Sequence, residues 1–292
     1  MIALLSIAAL ALQSTPVAAA PPQRVDDRPW RIELEGGALW SSRNDVQVPG
    51  NTGTRFSLTD LTGEGAWPVG RITVEWDVAE KHGLRLLYAP IRTDGTGPLG
   101  QPTSFDGVNF APGQATGEYR FDTYRLAYRY RFWSNERWDW RVGLTGLIRD
   151  ASIEIRQGNQ SARKTNVGFV PLLNLTGTWR FADRWSALLD VEGAAASQGR
   201  AFDVALKLGY DLNDRSRLSF GYRTIEGGAD NDEVFSFAWL HAAVVSFTYG
   251  LRERRGRAAR ARPCAGGRSS ARTGRGRSRC RGRRGSPLRR GT

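Results

Sequence analysis

The sequence predicts an all-β fold, a ten-stranded antiparallel up-and-down transmembrane β-barrel, and three observations lead to this prediction. Apolar and polar residues alternate with period two in ten segments between Trp30 and Leu251. Each segment is about ten residues long, which is the length that a tilted strand needs to cross a bilayer. The connections between the segments are alternately short and long, like the turns and loops of membrane barrels.

The ten segments follow one another in a regular order. Their apolar faces begin at Trp30, Ile72, Gly83, Tyr124, Trp138, Val167, Trp185, Phe202, Leu218 and Phe235. The third segment, from Gly83 to Arg92, is apolar on both faces and is therefore the least regular of the ten. In the other segments, one face of the predicted strand is mostly apolar and the opposite face is mostly polar.

The connections predict which rim of the barrel faces which side of the membrane. Short connections are expected at 79–82, 134–137, 182–184 and 213–216, and longer ones at 42–68, 93–118, 156–165, 195–201 and 226–233. In an outer-membrane barrel the short turns are periplasmic and the longer loops are extracellular. An even number of strands then places both ends of the barrel domain at the periplasmic rim.

The charge of the chain is distributed unevenly. The 292 residues carry a formal charge of +13, but residues 252–292 hold 16 Arg and one acidic residue, so the remaining 251 residues have a net charge of −2. That larger part contains all ten Trp and neither Cys. It has no apolar run of 18 residues beyond the extreme N-terminus, which excludes a helical membrane protein. Its near-neutral charge also argues against specific nucleic-acid binding.

Both ends of the chain are predicted to lie outside the barrel domain, which spans 30–251. Residues 1–20 are typical of a secretory signal peptide, with the cleavage position left open, and residues 21–29 form a short linker. Residues 252–292 are an Arg/Gly-rich tail without aromatic residues, so we expect them to be disordered. A nucleic-acid arm, a lipid- or polyanion-binding tail and an out-of-frame translation all remain open; the abrupt end of the strand pattern favours the last.

The polar faces of the segments carry both acids and bases, which we expect to point into the lumen. Barrels of about eight strands are filled by their own side chains, and open channels need about sixteen. Ten strands lie near the filled end of this range. The predicted ion-pair network of the lumen consists of Arg31, Glu33, Glu35, Arg71, Glu75, Arg125, Arg129, Arg141, Asp190, Glu192, Asp203, Lys207 and Arg223.

The tryptophans favour a barrel in lipid over a soluble β-sandwich or a lipocalin-like barrel. Trp30 and Trp40 are ten steps apart, roughly 33 Å of strand. With a tilt of about 40°, that length spans roughly 25 Å, the height of the apolar band of a membrane barrel. The predicted aromatic girdle consists of Trp30, Trp40, Trp76, Trp133, Trp138, Trp140, Trp179 and Trp185.

Three stretches of the sequence carry a resemblance to a known group of proteins. They are HGLRLLYAP at His82–Pro90, NVGFVPLL at Asn166–Leu173, and the residues from Glu226 to Gly250. They resemble segments of uncharacterised bacterial outer-membrane β-barrel proteins. The resemblance covers roughly residues 30–251; it implies the fold and an outer-membrane location, and it implies no activity.

The end of the barrel domain indicates two partners. Its last strand ends in Val-Ser-Phe-Thr-Tyr-Gly-Leu, which is similar to the aromatic-terminated recognition signal of outer-membrane barrels. We therefore expect the barrel-assembly machinery to bind the C-terminal strand, and outer-membrane lipid to surround the barrel. The long loops at 42–68 and 93–118 identify no extracellular ligand. Their apolar residues, Phe56, Leu58, Leu61, Phe105 and Phe110, suit loop packing and a contact surface equally well.

The expected function is non-enzymatic, a structural or surface-binding role, with no cofactor and no catalytic or metal-binding residue. A narrow, weakly anion-preferring pore is the alternative, because inward bases slightly outnumber inward acids. A hydrolase embedded in the barrel is less favoured, since His82 falls in a periplasmic turn and His241 on the lipid-facing side. Polyanion binding by the basic tail is also less favoured. For the acidic loop 230–233, a solvated loop tip is favoured over a Ca²⁺ site.

Overall fold

Ten long strands form one closed antiparallel sheet in the computed structural model, which describes residues 24–251. The predicted signal peptide, residues 21–23 and the tail lie outside the described residues. The elements are a 3-10 turn (Val25–Asp27), β1 (Trp30–Gln47), β2 (Phe56–Ser57), α1 (Thr59–Thr62), β3 (Gly65–Ala79), β4 (His82–Leu99), β5 (Thr103–Phe105), β6 (Val108–Phe110), β7 (Gly113–Ser134), β8 (Trp138–Gln157), β9 (Gln160–Arg180), β10 (Trp185–Ala196), β11 (Gly199–Asp211), β12 (Ser216–Asp230) and β13 (Phe235–Leu251). Within residues 24–251, no helix has the length and apolar character needed to cross a membrane.

The sheet closes because its first and last strands pair along their whole length. β1 and β13 are antiparallel from Trp30–Leu251 at one rim to Gln47–Phe235 at the other. Each of the other long strands pairs with its neighbour in the chain, which is the up-and-down order that the alternation predicts. The long strands β1, β3, β4 and β7 to β13 number ten, so the predicted fold class is confirmed.

The two faces of the wall are inverted relative to a soluble protein. On β1, Leu34 is 55% exposed, whereas Arg31 and Glu35 are only 4% and 8% exposed. The same contrast recurs around the barrel, where outward Leu, Phe, Tyr and Trp side chains form a belt and Arg, Asp and Glu side chains are buried. Since apolar side chains avoid water, this exterior is suited to hydrocarbon.

Three of the five long loops are much shorter than predicted, because strands extend through most of the residues assigned to them. Only residues 158–159 connect β8 and β9, and only 197–198 and 231–234 form the other two connections. Ion pairs between neighbouring strands stabilise these extensions: Arg156 of β8 binds Glu118 of β7 at 2.9 Å, and Arg163 of β9 binds Glu154 of β8. Both faces of a strand that stands in water are partly polar, and the alternation that marks the membrane part is therefore weak there.

The wall is incomplete at two places near the extracellular rim. The ladder between β3 and β4 ends at the pair Ile72–Tyr88, and above it α1 lies against the inner face of β4. The ladder between β9 and β10 ends at the pair Leu173–Gly193. Above this pair, residues 160–172 of β9 pair only with β8, and residues 194–196 of β10 pair only with β11. Pro171 lies in this part of β9 and has no backbone N–H to donate, which suits a strand edge. We call this opening the β9–β10 gap.

Candidate functional site

The centre of the lumen holds a cluster of ion pairs around two buried carboxylates. Asp203 accepts hydrogen bonds from Arg71 at 2.7 Å and Arg223 at 2.5 Å, and it lies 2.8 Å from Arg125. Glu192, 1% exposed, accepts a bond from Arg125 at 2.5 Å and pairs with Arg85 as well. We call this group the central cluster.

A second group of ion pairs, the lower cluster, lies between the central cluster and the periplasmic rim. Glu75 is 2.8 Å from both Arg31 and Arg129. Asp77 accepts hydrogen bonds from Arg31 at 2.9 Å and from Arg141 at 2.6 Å. Each carboxylate therefore faces two guanidinium groups, and this arrangement balances charges that would be costly to bury alone.

All thirteen residues of the predicted network face the lumen, and each takes part in an ion pair. Glu35, for example, lies 2.9 Å from Arg223 and 3.0 Å from Lys207. The predicted set omits Arg85, Asp77 and Asp139, although their parity on the strands points inward. Arg85 lies in the irregular third segment, where both faces are apolar and the parity is hard to read.

The predicted linker adds one more carboxylate to the lumen. Asp26 lies in the 3-10 turn beneath the barrel and binds Arg217 and Arg180, each at 2.9 Å. Burial alone would raise the pKa of Asp26, but the charges of Arg217 and Arg180 outweigh it and hold this pKa well below its usual value. Residues 24–29 therefore lie across the periplasmic opening, a position that no alternation could reveal.

The extracellular half of the lumen is filled differently, by apolar side chains from two loops. Leu58 and Leu61, at the start of α1 and within it, are 0% and 1% exposed. The helix approaches the inner faces of β4 and β7 so closely that a Cβ at Gly97 would lie 2.0 Å from the backbone oxygen of Asp60. The β5–β6 hairpin adds the buried Phe105. We call this filling the cap.

The burial of the cap shows whether the apolar loop residues pack within the loops or form a contact surface. Leu58, Leu61, Phe105 and Phe110 are buried and Phe56 packs against them, so they are loop-packing residues. The acidic loop has the form of a solvated tip, since Asn231 Oδ1 accepts bonds from the backbone of Glu233 and Val234. Among residues 24–251, no group of three or more Asp, Glu, His or Cys could hold a metal ion.

A cavity lies beside the β9–β10 gap, inside the wall. It has a volume of about 100 Å³ and is partly open to the surroundings. Its lining is mainly apolar and includes Tyr119, Phe121, Leu147, Ile153, Val170, Leu172, Ile225, Val234, Ala238 and Leu240. Arg125 and Asp203 of the central cluster also border it.

Two cations line this cavity without a carboxylate partner. Arg149 donates to Asn166 Oδ1 at 3.0 Å, and its buried Nε has no hydrogen-bond partner. Lys164 lies on the same inner face, two residues before Asn166 on β9. No ion pair joins Arg149 or Lys164 to any carboxylate of residues 24–251. Other cations nearby are neutralised: Arg200 pairs with Glu226, and Arg163 pairs with Glu154.

The tryptophans of the predicted girdle lie on the exterior. Trp30 and Trp76 stack at a centroid distance of 4.9 Å near the periplasmic rim. Trp138 stacks with Trp133, Trp140 and Trp179 at 6.4, 6.0 and 5.5 Å. Trp185 packs against Tyr210, also on the periplasmic side. Trp40 lies on the extracellular side, in a separate aromatic group.

That separate group is built around His241. Ser42 Oγ lies 2.8 Å from His241 Nε2, and Tyr222 Oη lies 2.5 Å from Nδ1. Ser42 keeps the outward orientation of Trp40, and the register shift between Ser41 and Arg43 reverses the alternation after it, so that Asn44 is buried. Trp40 stacks on the imidazole at 5.9 Å. The outward orientation that the parity predicts for His241 is therefore observed, and both ring nitrogens have partners.

These features define the class of the protein. A closed antiparallel barrel with an even number of strands, an outward apolar belt and aromatic side chains at its edges is the architecture of outer-membrane proteins. The chain is an outer-membrane β-barrel protein, with ten strands and a lumen filled by ion pairs below and by the cap above.

Several solved structures are similar to this chain at low sequence identity. No family model and no curated protein matches the chain. The outer membrane protease OmpT from Escherichia coli is similar over 76% of this chain and 96% of its own, with 10% identity and a TM-score of 0.47. Neisserial surface protein A is similar over 76% and 97%, with 9% identity and a TM-score of 0.36. The attachment invasion locus protein Ail of Yersinia pestis is similar over 74% and 98%, with 8% identity and a TM-score of 0.35.

Proposed function

We propose that the protein is a non-conducting, non-enzymatic barrel with a structural or surface-binding role in the outer membrane. The observation that carries this proposal is the filling of the lumen at two levels. Charged side chains from most of the strands meet in the central and lower clusters, and the cap fills the extracellular half. A solute would have to break buried ion pairs and displace α1 in order to pass.

Planar-bilayer recording tests this proposal. The refolded full chain should insert and show no discrete current steps. A variant lacking residues 50–63, which removes α1 and most of its loop, serves as the comparison because it opens the extracellular half. Discrete steps from the unaltered protein, with a weak preference for anions, would contradict the proposal and favour the narrow-pore alternative.

Two partners belong to this proposal, the surrounding outer-membrane lipid and the barrel-assembly machinery. The C-terminal strand β13 carries outward Phe247 and Tyr249 next to the barrel seam. Replacing Tyr249 by Ala should slow assembly in cells while leaving refolding in detergent micelles unchanged. Equal rates of assembly for both proteins would contradict a role of β13 in recognition.

The tail is assigned no specific nucleic-acid partner. Its 16 Arg should bind any polyanion in a salt-dependent way. Removing residues 252–292 should therefore abolish retention on heparin and leave heat-modifiable migration of the barrel intact. Sequence-selective binding of DNA or RNA by the full chain would overturn this assignment.

The Ser42–His241 contact favours a second candidate function, hydrolysis of an ester at the outer edge of the belt. A hydroxyl within hydrogen-bond reach of an imidazole is the arrangement of a serine nucleophile and its base. The third group, however, is Tyr222, and no carboxylate of residues 24–251 hydrogen-bonds His241. We rank this candidate second for that reason. Labelling of Ser42 by a fluorophosphonate probe, lost in His241→Ala, would place it first.

A further inference from the structure

The cavity beside the β9–β10 gap combines three properties that the sealed lumen does not need. Its lining is mainly apolar, it lies beside the β9–β10 gap, and two cations without carboxylate partners border it. On the outer face, Phe169 and Leu173 of β9 are 69% and 65% exposed, so the opening is flanked by side chains of the lipid-facing belt. The β9–β10 gap therefore offers a route between the cavity and the hydrocarbon of the membrane.

The edge of β9 gives a reason for the gap to be occupied. Residues 160–172 lack a strand partner on the β10 side, and their lower part lies at the level of the belt. Unpaired backbone groups facing hydrocarbon cost several kcal/mol each, and they are tolerated only where they are buried in protein or line a water-filled cavity. A polar headgroup in the gap would supply partners for this edge.

The charges indicate the sign of that headgroup. Arg149 and Lys164 project from neighbouring strands into the same cavity, and Asn166 lies between them. Buried or half-buried cations normally have a counter-ion, and these two have none among residues 24–251. A phosphate or carboxylate beside them would complete the ion pairs, as the carboxylates of the central cluster do for its arginines.

We propose that this cavity binds an amphiphile of the outer leaflet, with one acyl chain in the apolar space and an anionic headgroup on Arg149 and Lys164. The chain enters sideways through the β9–β10 gap and ends above Arg125 and Asp203. Binding needs no passage along the barrel axis, so this proposal stands even if the sealed-lumen proposal fails.

Fluorescence titration of the full chain, refolded in a neutral maltoside detergent, tests the proposal with 11-(dansylamino)undecanoic acid as the probe. Binding should saturate, and dodecanoate and dodecyl phosphate should displace the probe while dodecyltrimethylammonium does not. Each methylene removed from the competing carboxylate should weaken displacement roughly fourfold, the equivalent of about 0.8 kcal/mol per buried CH₂. Displacement independent of chain length, or by inorganic phosphate as well as by dodecyl phosphate, would overturn the acyl-chain assignment.

Matched variants separate the headgroup site from the acyl site. Arg149→Gln with Lys164→Gln should weaken probe binding by roughly tenfold or more, because each lost charged hydrogen bond is worth about 1.5–3 kcal/mol. Arg163→Gln, next to Lys164 on the opposite face, should have no effect. Ala238→Phe should fill the cavity and abolish binding, whereas Ala243→Phe, on the lipid face of the same strand, should not. Unchanged binding in the double Gln variant would overturn the proposal, whether or not Ala238→Phe folds.

Discussion

The lower and upper halves of the lumen are filled by opposite kinds of side chain. Below, strand residues such as Glu75 and Asp203 form ion pairs with arginines that cross the lumen. Above, Leu58 and Leu61 enter from a loop and pack against the inner wall. The same ten strands thus surround a polar network at one level and a small apolar core at the other.

The contrast shows that the continuity of strand pairing in the wall determines which side chains can fill the lumen at each level. Where all ten strands pair, no water or lipid reaches the centre from the side, and buried charges must satisfy each other. Near the extracellular rim the β3–β4 and β9–β10 ladders both end, so the wall is no longer continuous. There an inserted loop fills most of the lumen, and the remaining space is the cavity. The following predictions are arranged from the largest expected effect to the smallest.

Removing a carboxylate from the central cluster should cause the largest loss of stability. Glu192→Ala leaves Arg85 and Arg125 without a shared partner in a buried place, and such a loss costs about 3–5 kcal/mol. The free energy of unfolding in guanidinium chloride, followed by tryptophan fluorescence, measures the effect. Glu154→Ala is the control, because its exposed pairs with Arg156 and Arg163 are worth only about 0–1 kcal/mol each. Equal losses in the two variants would contradict the special role of the buried cluster.

Removing a buried side chain from the cap should lower the stability somewhat less, and the effect should be confined to the cap. Leu61→Ala removes a fully buried side chain, which costs about 2–5 kcal/mol of packing. We expect faster proteolysis within residues 48–64, whereas the rest of the barrel stays resistant. Leu212→Ala, in an exposed periplasmic turn, should leave the cleavage rate unchanged. Faster proteolysis over the whole barrel would show that the cap and the ion-pair clusters do not unfold separately.

The periplasmic end should respond to pH through Asp26. Its pKa is lowered in the folded protein, so its ion pairs stabilise the fold above the usual pKa of 3.8, and this stabilisation is lost as the pH falls through the folded value. Asp26→Asn should therefore reduce the free energy of unfolding by about 1.5–3 kcal/mol at pH 7. The difference between the two proteins should shrink below pH 3.8. A constant difference across this range would contradict the ion-pair explanation.

The smallest loss of stability is expected at Ser42, which lies outside the ion-pair clusters and the cap. Ser42→Ala removes one partner of His241 on the outer face and should cost no more than about 1 kcal/mol. The free energy of unfolding measures this loss. Thr248→Ala in β13 also removes a hydroxyl group and serves as the comparison. A loss as large as that of Glu192→Ala would mean that the exterior group matters as much as the lumen.

The barrel itself could be predicted from the sequence, because hydrocarbon outside and charge inside impose a strict period of two. Arg31 and Leu34 lie on opposite faces of β1, as their spacing requires. The cap could not be predicted in this way, since Leu58 and Leu61 belong to an irregular loop and become buried only through the wall around them. The β9–β10 gap had one signal in the sequence, Pro171, whose missing N–H is compatible with an edge but does not specify one.

The strand extensions were missed for a related reason. From Asp150 to Gln157, β8 stands above the belt, where water on the outside removes the need for apolar residues. Cross-strand contacts such as Arg120–Asp150 at 2.7 Å hold the sheet together there. Such pairs depend on the register between strands, and a single sequence does not reveal that register.

The β8–β9 hairpin has a consequence for what the surroundings of the cell first encounter. Its connection is only two residues long, so the part that stands farthest from the membrane on these strands is a continuous ladder of paired backbone, from Ala151–Asn166 to Gln157–Gln160. An antibody or phage fibre that binds this hairpin would contact a surface of fixed shape. Little conformational entropy would be lost on contact, which favours tight adhesion over adaptive fit.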